Sequence, residues 1–227
     1  DRRVMAAMIS AVDDGVGEIR AELERQGLTE NTLIYYQSDN GPSRETRNWL
    51  DGTEDPYYGG TAGIFTGHKY SLFEGGIRVP AIVAWPGHIP GGQVIDSPHA
   101  AMDVFPTVLE ACGGDPGAYA IDGLSMLSML EGGKSPAHDA LFWEMEGQTA
   151  MRQGDYKLVL NGQLVESEAP RAEVFLSDLS KDPGERENLA DALPEVAARM
   201  RAAALEWRAE LERNWEEHFA ANYKSLT

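Results

Sequence analysis

The chain has 227 residues, enough for one large domain or for a medium domain with a smaller one. Hydrophobic residues make up 42% of it and charged residues 25%, which is typical of a soluble chain with a core. The formal net charge of −18 argues against nucleic acid as a partner, because phosphate binding needs a basic surface. No run approaches the length of apolar sequence that a bilayer requires, so no transmembrane helix is predicted.

The first part of the chain predicts a helix, a strand and a turn. Apolar side chains three and four residues apart indicate an amphipathic helix over residues 4–26, which Gly27 would end. Residues 32–37 (TLIYYQ) predict a buried strand, and the turn after it carries Asp39 and Asn40 side by side. Oxygen ligands at the carboxyl end of a strand suit a hard cation. On local chemistry alone an ordinary turn is the better interpretation, since Asx-Gly pairs are common turn formers.

A glycine-rich segment follows a long loop over residues 41–67. This segment, residues 67–80 (GHKYSLFEGGIRVP), contains Lys69, Glu74 and Arg78. Glycines let the backbone approach an anion closely, and a lysine ammonium is a compact charge suited to oxyanions. The competing interpretation is that Glu74 and Arg78 form a buried ion pair that shapes the loop, because internal charges are normally paired.

The remaining elements follow from similar patterns. A second buried strand is predicted from Ala81, and Asp103 fits the N-cap of a helix with Pro106 in its first turn. His99 is a candidate pocket residue, although a lone histidine is more often packed. After a turn-rich boundary at residues 132–137, short strands are predicted at 140–144, 150–152, 156–160 and 172–176, followed by a long amphipathic helix at 193–219.

Four segments together resemble the type I sulfatases of the alkaline phosphatase superfamily. They are residues 32–42 (TLIYYQSDNGP), 67–80 (GHKYSLFEGGIRVP), 103–109 (DVFPTVL) and the tail from 156 to 189 (YKLVLNG … LSDLSKDPGERENLA). Their order and spacing match the C-terminal half of such an enzyme. The resemblance implies an α/β fold in which residues 1–132 form part of a mixed sheet with flanking helices. Residues 138–227 would form a C-terminal subdomain of antiparallel strands and a long helix.

The resemblance also implies roles for individual residues. Asp39 and Asn40 would be two ligands of a single divalent cation, usually Ca²⁺, with Mg²⁺ as the alternative. Lys69 would contact the sulfate group of a small-molecule or glycan sulfate ester, and His99 is a weaker candidate for a substrate contact. We call the segment 67–80, which carries Lys69, the lysine loop, and the residues implied to support it are Glu74, Gly75, Gly76 and Arg78.

Other features of the family have no match in this sequence. The nucleophile of these enzymes is a formylglycine made within C/S-x-P-x-R, but the single cysteine, Cys112, is followed by Gly113, and residues 40–44 (NGPSR) place Asn at the first position. The two other metal-binding aspartates and an upstream Lys-x-His are also missing. The chain begins without Met, and we expect it to be a fragment of a longer sulfatase, inactive alone, whose cation site can be empty.

Two alternatives remain open at this stage. One is a phosphodiesterase or phosphonate hydrolase of the same superfamily, although such enzymes commonly carry His where Asn40 stands, because a softer or second metal prefers imidazole. The other is a non-catalytic interaction fragment. An uncovered apolar face would then favour a homo-oligomer or association with the missing N-terminal half.

Overall fold

The computed structural model describes residues 1–46, 51–55, 57–134 and 138–219. The helices are α1 (Arg2–Arg25), α2 (Glu74–Ile77), α3 (Val104–Ala111), α4 (Leu127–Leu130) and α5 (Pro194–His218), and the strands are β1 (Ile34–Gln37), β2 (Ala81–Ala84), β3 (Leu141–Met145), β4 (Gln148–Gln153), β5 (Tyr156–Leu160) and β6 (Val174–Asp178). The predicted α/β class, with a C-terminal antiparallel sheet and a long helix, is confirmed.

The chain forms two compact units. The first unit consists of Ala6–Gln37 and Pro80–Asp139, and the second of Asp1–Met5, Ser38–Val79 and the chain from Ala140 onward. The predicted division into residues 1–132 and 138–227 stays a prediction.

The second unit is built on the antiparallel sheet β3-β4-β5-β6. Side chains alternate between its two faces, as the period of a strand requires. On the face toward α5, Met151, Leu158 and Leu176 form a buried cluster with the helix. On the opposite face, Val159 and Phe175 pack against residues of the lysine loop. Both faces of β5 are therefore covered, which explains why this strand is almost continuously apolar.

Helix α5 covers one face of this sheet along its first half. Ala197, Met200 and Ala204 are its buried residues, spaced three and four apart as one helix face requires. Burial of the Met200 side chain contributes roughly 1.5–3 kcal/mol. The ring of Trp207 stacks on Phe142 of β3 with centroids 5.1 Å apart. The predicted helix at 193–219 and the four predicted strands are confirmed, with strand ends displaced by at most two residues.

The first unit is organised around Asp103, whose side chain is fully buried. Its Oδ1 accepts hydrogen bonds from the Leu124 amide and from His138 Nε2, each at 2.8 Å, and its Oδ2 accepts from the Ala100 amide at 2.8 Å. The predicted position at the N-cap of α3 is correct, but the side chain makes no capping bond to that helix. It instead ties the turn before the helix to a later loop.

The predicted burial of the first two strands is wrong. Strands β1 and β2 pair antiparallel with each other, with Ile34 opposite Ala84. Neither strand contains a buried residue, and Ile82 is 64% exposed. The cause is that, among the described residues, this sheet has only two strands and no other helix or strand makes extensive contact with it, so the side chains on its faces stay accessible. The predicted helix α1 is present, but its apolar stripe (Val4, Met8, Ile9, Val12 and Ile19) is also exposed. Within the described ranges, no helix combines the length and apolar character needed to cross a bilayer.

Candidate functional site

The turn after β1 holds the two candidate metal ligands side by side. Asp39 is exposed and Asn40 is half-buried. Asp39 Oδ1 accepts a hydrogen bond from the Asn40 amide at 2.9 Å, and Asn40 Nδ2 donates to the Gly41 carbonyl at 2.8 Å. Because the amide nitrogen of Asn40 is used in this way, its amide oxygen is the atom suited to a cation.

Two backbone hydrogen bonds join this turn to the lysine loop. The Gly41 amide donates to the Gly76 carbonyl at 2.9 Å, and the Lys69 amide donates to the Pro42 carbonyl at 3.0 Å. A Cβ atom at Gly41 would lie 1.8 Å from the Gly75 carbonyl oxygen, so only glycine fits there. The two motifs that the sequence singled out are therefore in direct contact.

The adjacent glycines of the loop are required for the same steric reason. A Cβ atom at Gly75 would lie 2.3 Å from the Gly67 carbonyl oxygen, and one at Gly76 would lie 2.1 Å from the Ser71 carbonyl oxygen. The Gly75 amide donates to the Thr66 carbonyl at 2.6 Å. Backbone packs on backbone at these two positions, so α2 requires glycine at residues 75 and 76.

The ammonium of Lys69 forms an ion pair with the carboxylate of Glu45. This hydrogen bond raises the pKa of Lys69, although burial opposes it, and the negative charges of Glu45 and Asp39 act in the same direction as the bond. The next residue, Tyr70, has a φ of 74°, a conformation that persists in a non-glycine residue only when its surroundings hold it. Gln148 of β4 contributes to this restraint by donating to the Tyr70 carbonyl at 2.8 Å.

A cavity of about 400 Å³ opens beside Lys69. It is lined by Arg44, Glu45, Thr46, Lys69, Tyr70, Val165, Glu166 and Ser167. One wall thus comes from the chain that follows the Asp-Asn turn, and another comes from the loop between β5 and β6.

A buried charge cluster lies beneath the lysine loop. Lys157 of β5 is fully buried, and its Nζ lies 2.8 Å from Glu74 Oε1 and 3.2 Å from Glu185 Oε1. Glu185 Oε2 also accepts a hydrogen bond from the Glu74 amide at 2.5 Å. We call Lys157, Glu74 and Glu185 the buried triad. It connects the lysine loop, the sheet β3-β4-β5-β6 and the turn after β6.

The two carboxylates of the buried triad differ in their proton affinity. Burial tends to raise the pKa of Glu74, but the charge and hydrogen bond of Lys157 outweigh it, so the pKa is lowered. Burial raises the pKa of Glu185, and Lys157 offsets this only in part. Within the described residues, Glu185 Oε1 has no hydrogen-bond partner and meets Lys157 only at ion-pair distance. Glu185 is therefore the acid of the triad that is more easily protonated.

The competing interpretation, in which Glu74 and Arg78 form a buried ion pair, is wrong about the main partner of Glu74. Arg78 Nη1 is 3.5 Å from Glu74 Oε2, and the Arg78 side chain is 50% exposed. Its guanidinium lies 4.7 Å from the ring centre of Phe65. The sequence analysis did not identify Lys157 as the main partner of Glu74. A lysine within the apolar run YKLVL does, however, indicate a buried charge that needs a partner.

The second unit also fixes the lysine loop through neutral contacts. Thr66 Oγ1 donates to the Gly184 carbonyl at 2.5 Å, and Ser71 Oγ donates to the Gln163 carbonyl at 2.7 Å. Phe73 is fully buried and meets the ring of Phe175 edge to face, with centroids 5.2 Å apart. The position of Lys69 therefore depends on the C-terminal sheet as much as on its own loop.

Asp39 and Asn40 offer the type of oxygen ligand that a hard cation prefers, but two residues are too few to complete its coordination. A protein-bound Ca²⁺ takes about six to eight oxygen ligands. In the part of the chain that the structure describes, no group of three or more His, Cys, Asp or Glu residues could hold a metal ion. His99 belongs to the first unit, where its Nδ1 lies 3.0 Å from the Ser97 carbonyl oxygen, and its role as a substrate contact stays a prediction.

Family comparisons agree with the geometry. A family model described as sulfatase matches residues 1–114, half of the chain. The chain belongs to the sulfatase family. A second model, for the C-terminal part of N-sulphoglucosamine sulphohydrolase, matches residues 60–210. Sulfatases bind a divalent cation.

Individual sulfatases are similar over much of the chain. Steryl-sulfatase of Mus musculus is 38% identical over 136 residues, which is 59% of this chain and 21% of that protein. Arylsulfatase A of Bos taurus is 33% identical over 210 residues, or 82% of this chain and 39% of that protein. The crystal structure of PsFucS1 sulfatase from Pseudoalteromonas sp. superposes with a TM-score of 0.69 at 26% identity, covering 92% of this chain and 42% of that one. The chain spans less than half the length of each of these sulfatases.

Proposed function

We propose that this chain supplies part of the active site of a sulfuric ester hydrolase. The observation that carries the proposal is the pair of backbone hydrogen bonds that joins the Asp39–Pro42 turn to the Lys69 loop. Ligands for a cation and a donor for an oxyanion are thereby held together in a chain of the sulfatase family. Both groups serve one task, which is to neutralise a sulfate group.

Lys69 is the residue proposed to contact the sulfate. Its pKa is raised, mainly by the hydrogen bond to Glu45, so the side chain stays an ammonium at neutral pH. An ammonium offers three donors to sulfate oxygens and stabilises the charge that grows as the S–O bond breaks. Glu74, Gly75, Gly76 and Arg78 are proposed to hold this lysine in place.

Asp39 and Asn40 are proposed to contribute ligands to a divalent cation, Ca²⁺ in preference to Mg²⁺. One carboxylate and one amide oxygen are donors of the type that hard cations prefer. When bound, the cation would add positive charge beside the sulfate oxygens. Further ligands would be needed to complete the coordination of the cation.

The proposed substrate is a sulfate ester of a small molecule or a glycan. The cavity of about 400 Å³ beside Lys69 is large enough for the alcohol part of such an ester. Thr46, Ser167 and Tyr70 are among the residues that line it.

The test is hydrolysis of 4-nitrophenyl sulfate by the longest polypeptide that contains this chain. Lys69→Met is expected to lower kcat/KM by about 100-fold or more, since it removes a charge that faces the transition state. Lys134→Met removes an exposed lysine of the first unit and is the matched control, with activity expected to be unchanged. Full activity in Lys69→Met would contradict the assignment.

A second comparison addresses the two alternatives. Faster hydrolysis of an aryl phosphate diester than of the aryl sulfate would favour the phosphodiesterase interpretation. The 227-residue chain by itself is expected to show no arylsulfatase activity, because its sequence contains no C/S-x-P-x-R nucleophile motif. Activity from the purified chain would refute that expectation.

A further inference from the structure

The carboxylate of Glu45 pairs with Lys69 and raises its pKa, but it has no assigned contact with the sulfate ester. Glu45 lies on the cavity wall, and its side chain is 27% exposed against 35% for Lys69. Its backbone is held independently of this ion pair. The Glu45 amide donates to Ser43 Oγ at 3.1 Å, and its carbonyl accepts from the Tyr57 amide at 2.8 Å. Glu45 is therefore presented to Lys69 by the backbone that follows the Asp-Asn turn.

We propose that Glu45 is an internal competitor for the sulfate site. Its carboxylate occupies the Lys69 ammonium in the absence of substrate, and an incoming sulfate group must displace it or share the lysine with it. Glu45 thereby sets the affinity of the site for anions. The inference rests on the proposed contact between Lys69 and sulfate, and it adds a residue that lowers this affinity.

The direction of the effect follows from charge and exposure. A partly exposed ion pair contributes little net stability, because water solvates both charges well when they separate. In the cavity, a negative charge a few ångströms from an incoming anion repels the anion more strongly than it would in bulk water, because the cavity walls screen charges less. Loss of the Glu45 charge should therefore help anion binding more than loss of the orienting contact harms it.

The arrangement also has a use in selection among anions. A weakly held monoanion gains little from Lys69 because it must first replace a carboxylate that the backbone already presents. A sulfate ester makes further contacts through its alcohol part in the adjoining cavity, and these offset the displacement. Glu45 would thus lower the affinity of the site for anions that bind through Lys69 alone, without contacting the S–O bond that breaks.

The experiment is a titration of the chain with inorganic sulfate at constant ionic strength, followed through the amide NMR signals of Lys69, Gly75 and Gly76. Glu45→Gln is expected to bind sulfate about three- to tenfold more tightly than the parent chain, as expected when one partly screened charge is removed close to an anion. Glu45→Asp keeps the charge and is expected to bind as the parent does. Glu166→Gln removes a charge from the other wall of the same cavity without touching the Lys69 pair, and it should change the affinity by less than about twofold.

The inference is overturned if Glu45→Gln binds sulfate no more tightly than the parent chain. It is also overturned if Glu166→Gln gains as much affinity as Glu45→Gln, because the effect would then come from the overall charge of the cavity. Lys69→Met should abolish sulfate binding both alone and combined with Glu45→Gln. Binding that survives Lys69→Met in both backgrounds would remove the Lys69 assignment itself. Binding that is lost in Lys69→Met but unchanged in Glu45→Gln would leave that assignment standing and reject only the role of Glu45.

Discussion

Replacement of Lys157 by Met is the most direct test of how the lysine loop is held. Methionine has a similar length and no charge, so the substitution removes the ammonium from the buried triad while filling nearly the same space. Glu74 and Glu185 would then remain close together with their side chains 4% and 0% exposed. With only the half-exposed Arg78 left as an ion-pair partner of Glu74, the two buried carboxylates cannot both stay ionised.

The size of the effect follows from the least costly way to relieve this repulsion. At pH 7, protonation of one glutamate with the ordinary pKa of 4.5 requires about 3.4 kcal/mol, at about 1.36 kcal/mol for each pH unit. This agrees with the loss of about 3–5 kcal/mol that is typical when one partner of a buried ion pair is removed. The loss should shrink as the pH approaches 4.5, because protonation then needs no work.

The assay is urea unfolding of the parent chain and of Lys157→Met at pH 7 and pH 5, with hydrogen exchange of the β4, β5 and β6 amides as a local readout. The neutral combination Lys157→Met/Glu74→Gln/Glu185→Gln is expected to recover at least half of the lost stability, because no uncompensated charge remains. A loss below about 1 kcal/mol at pH 7 would refute the reasoning. So would a combined variant that is no more stable than Lys157→Met alone.

Two further predictions concern the same region. Gly41→Ala is expected to lower the free energy of unfolding by about 1–3 kcal/mol, because its Cβ would overlap the Gly75 carbonyl, whereas Gly91→Ala, which meets nothing within 4 Å, should change urea unfolding little. Lys157 lowers the pKa of Glu74 against the effect of burial, so the contribution of Glu74 to stability is present above about pH 4.5 and is lost as the pH falls. Burial raises the pKa of Glu185, so its contribution is present in acid and is lost as the pH rises. The test is urea unfolding between about pH 7 and pH 4. On acidification, the difference in unfolding free energy between the parent and Glu74→Gln should shrink, and the difference between the parent and Glu185→Gln should grow. Differences that do not change with pH would contradict both assignments.

Local patterns were sufficient to predict the two long helices and the four strands of the C-terminal sheet. The spacing of Val196, Met200 and Ala203 and the apolar run at residues 156–160 reflect periods of 3.6 and 2, which do not depend on the rest of the chain. These elements appear within two residues of their predicted ends. The burial of β1 and β2 was predicted wrongly because apolar character shows what a strand can bury, and only the tertiary structure shows what covers it.

Candidate site residues could be identified from the sequence where they lie in a recognisable local motif. Asp39, Asn40 and Lys69 lie in motifs with turn-forming or flexible neighbours, and the structure joins those motifs through Gly41 and Gly76. The partners Glu45 and Lys157 were missed because they depend on contacts 24 and 83 residues apart in the chain. A side-chain pair of this kind leaves no periodic signal in the sequence.

The position of Lys157 within β5 has a consequence for the chain's tolerance of insertions and deletions. Lys157 and Val159 face the lysine loop, whereas Leu158 and Leu160 face α5. A single residue added to or removed from the turn between β4 and β5 that shifted the strand by one position would exchange these faces, placing an ammonium against Met200 and a leucine between two carboxylates. Changes of an even number of residues keep the parity of the strand. The length of this short hairpin is therefore restricted by the charge beneath the loop as well as by the geometry of the turn itself.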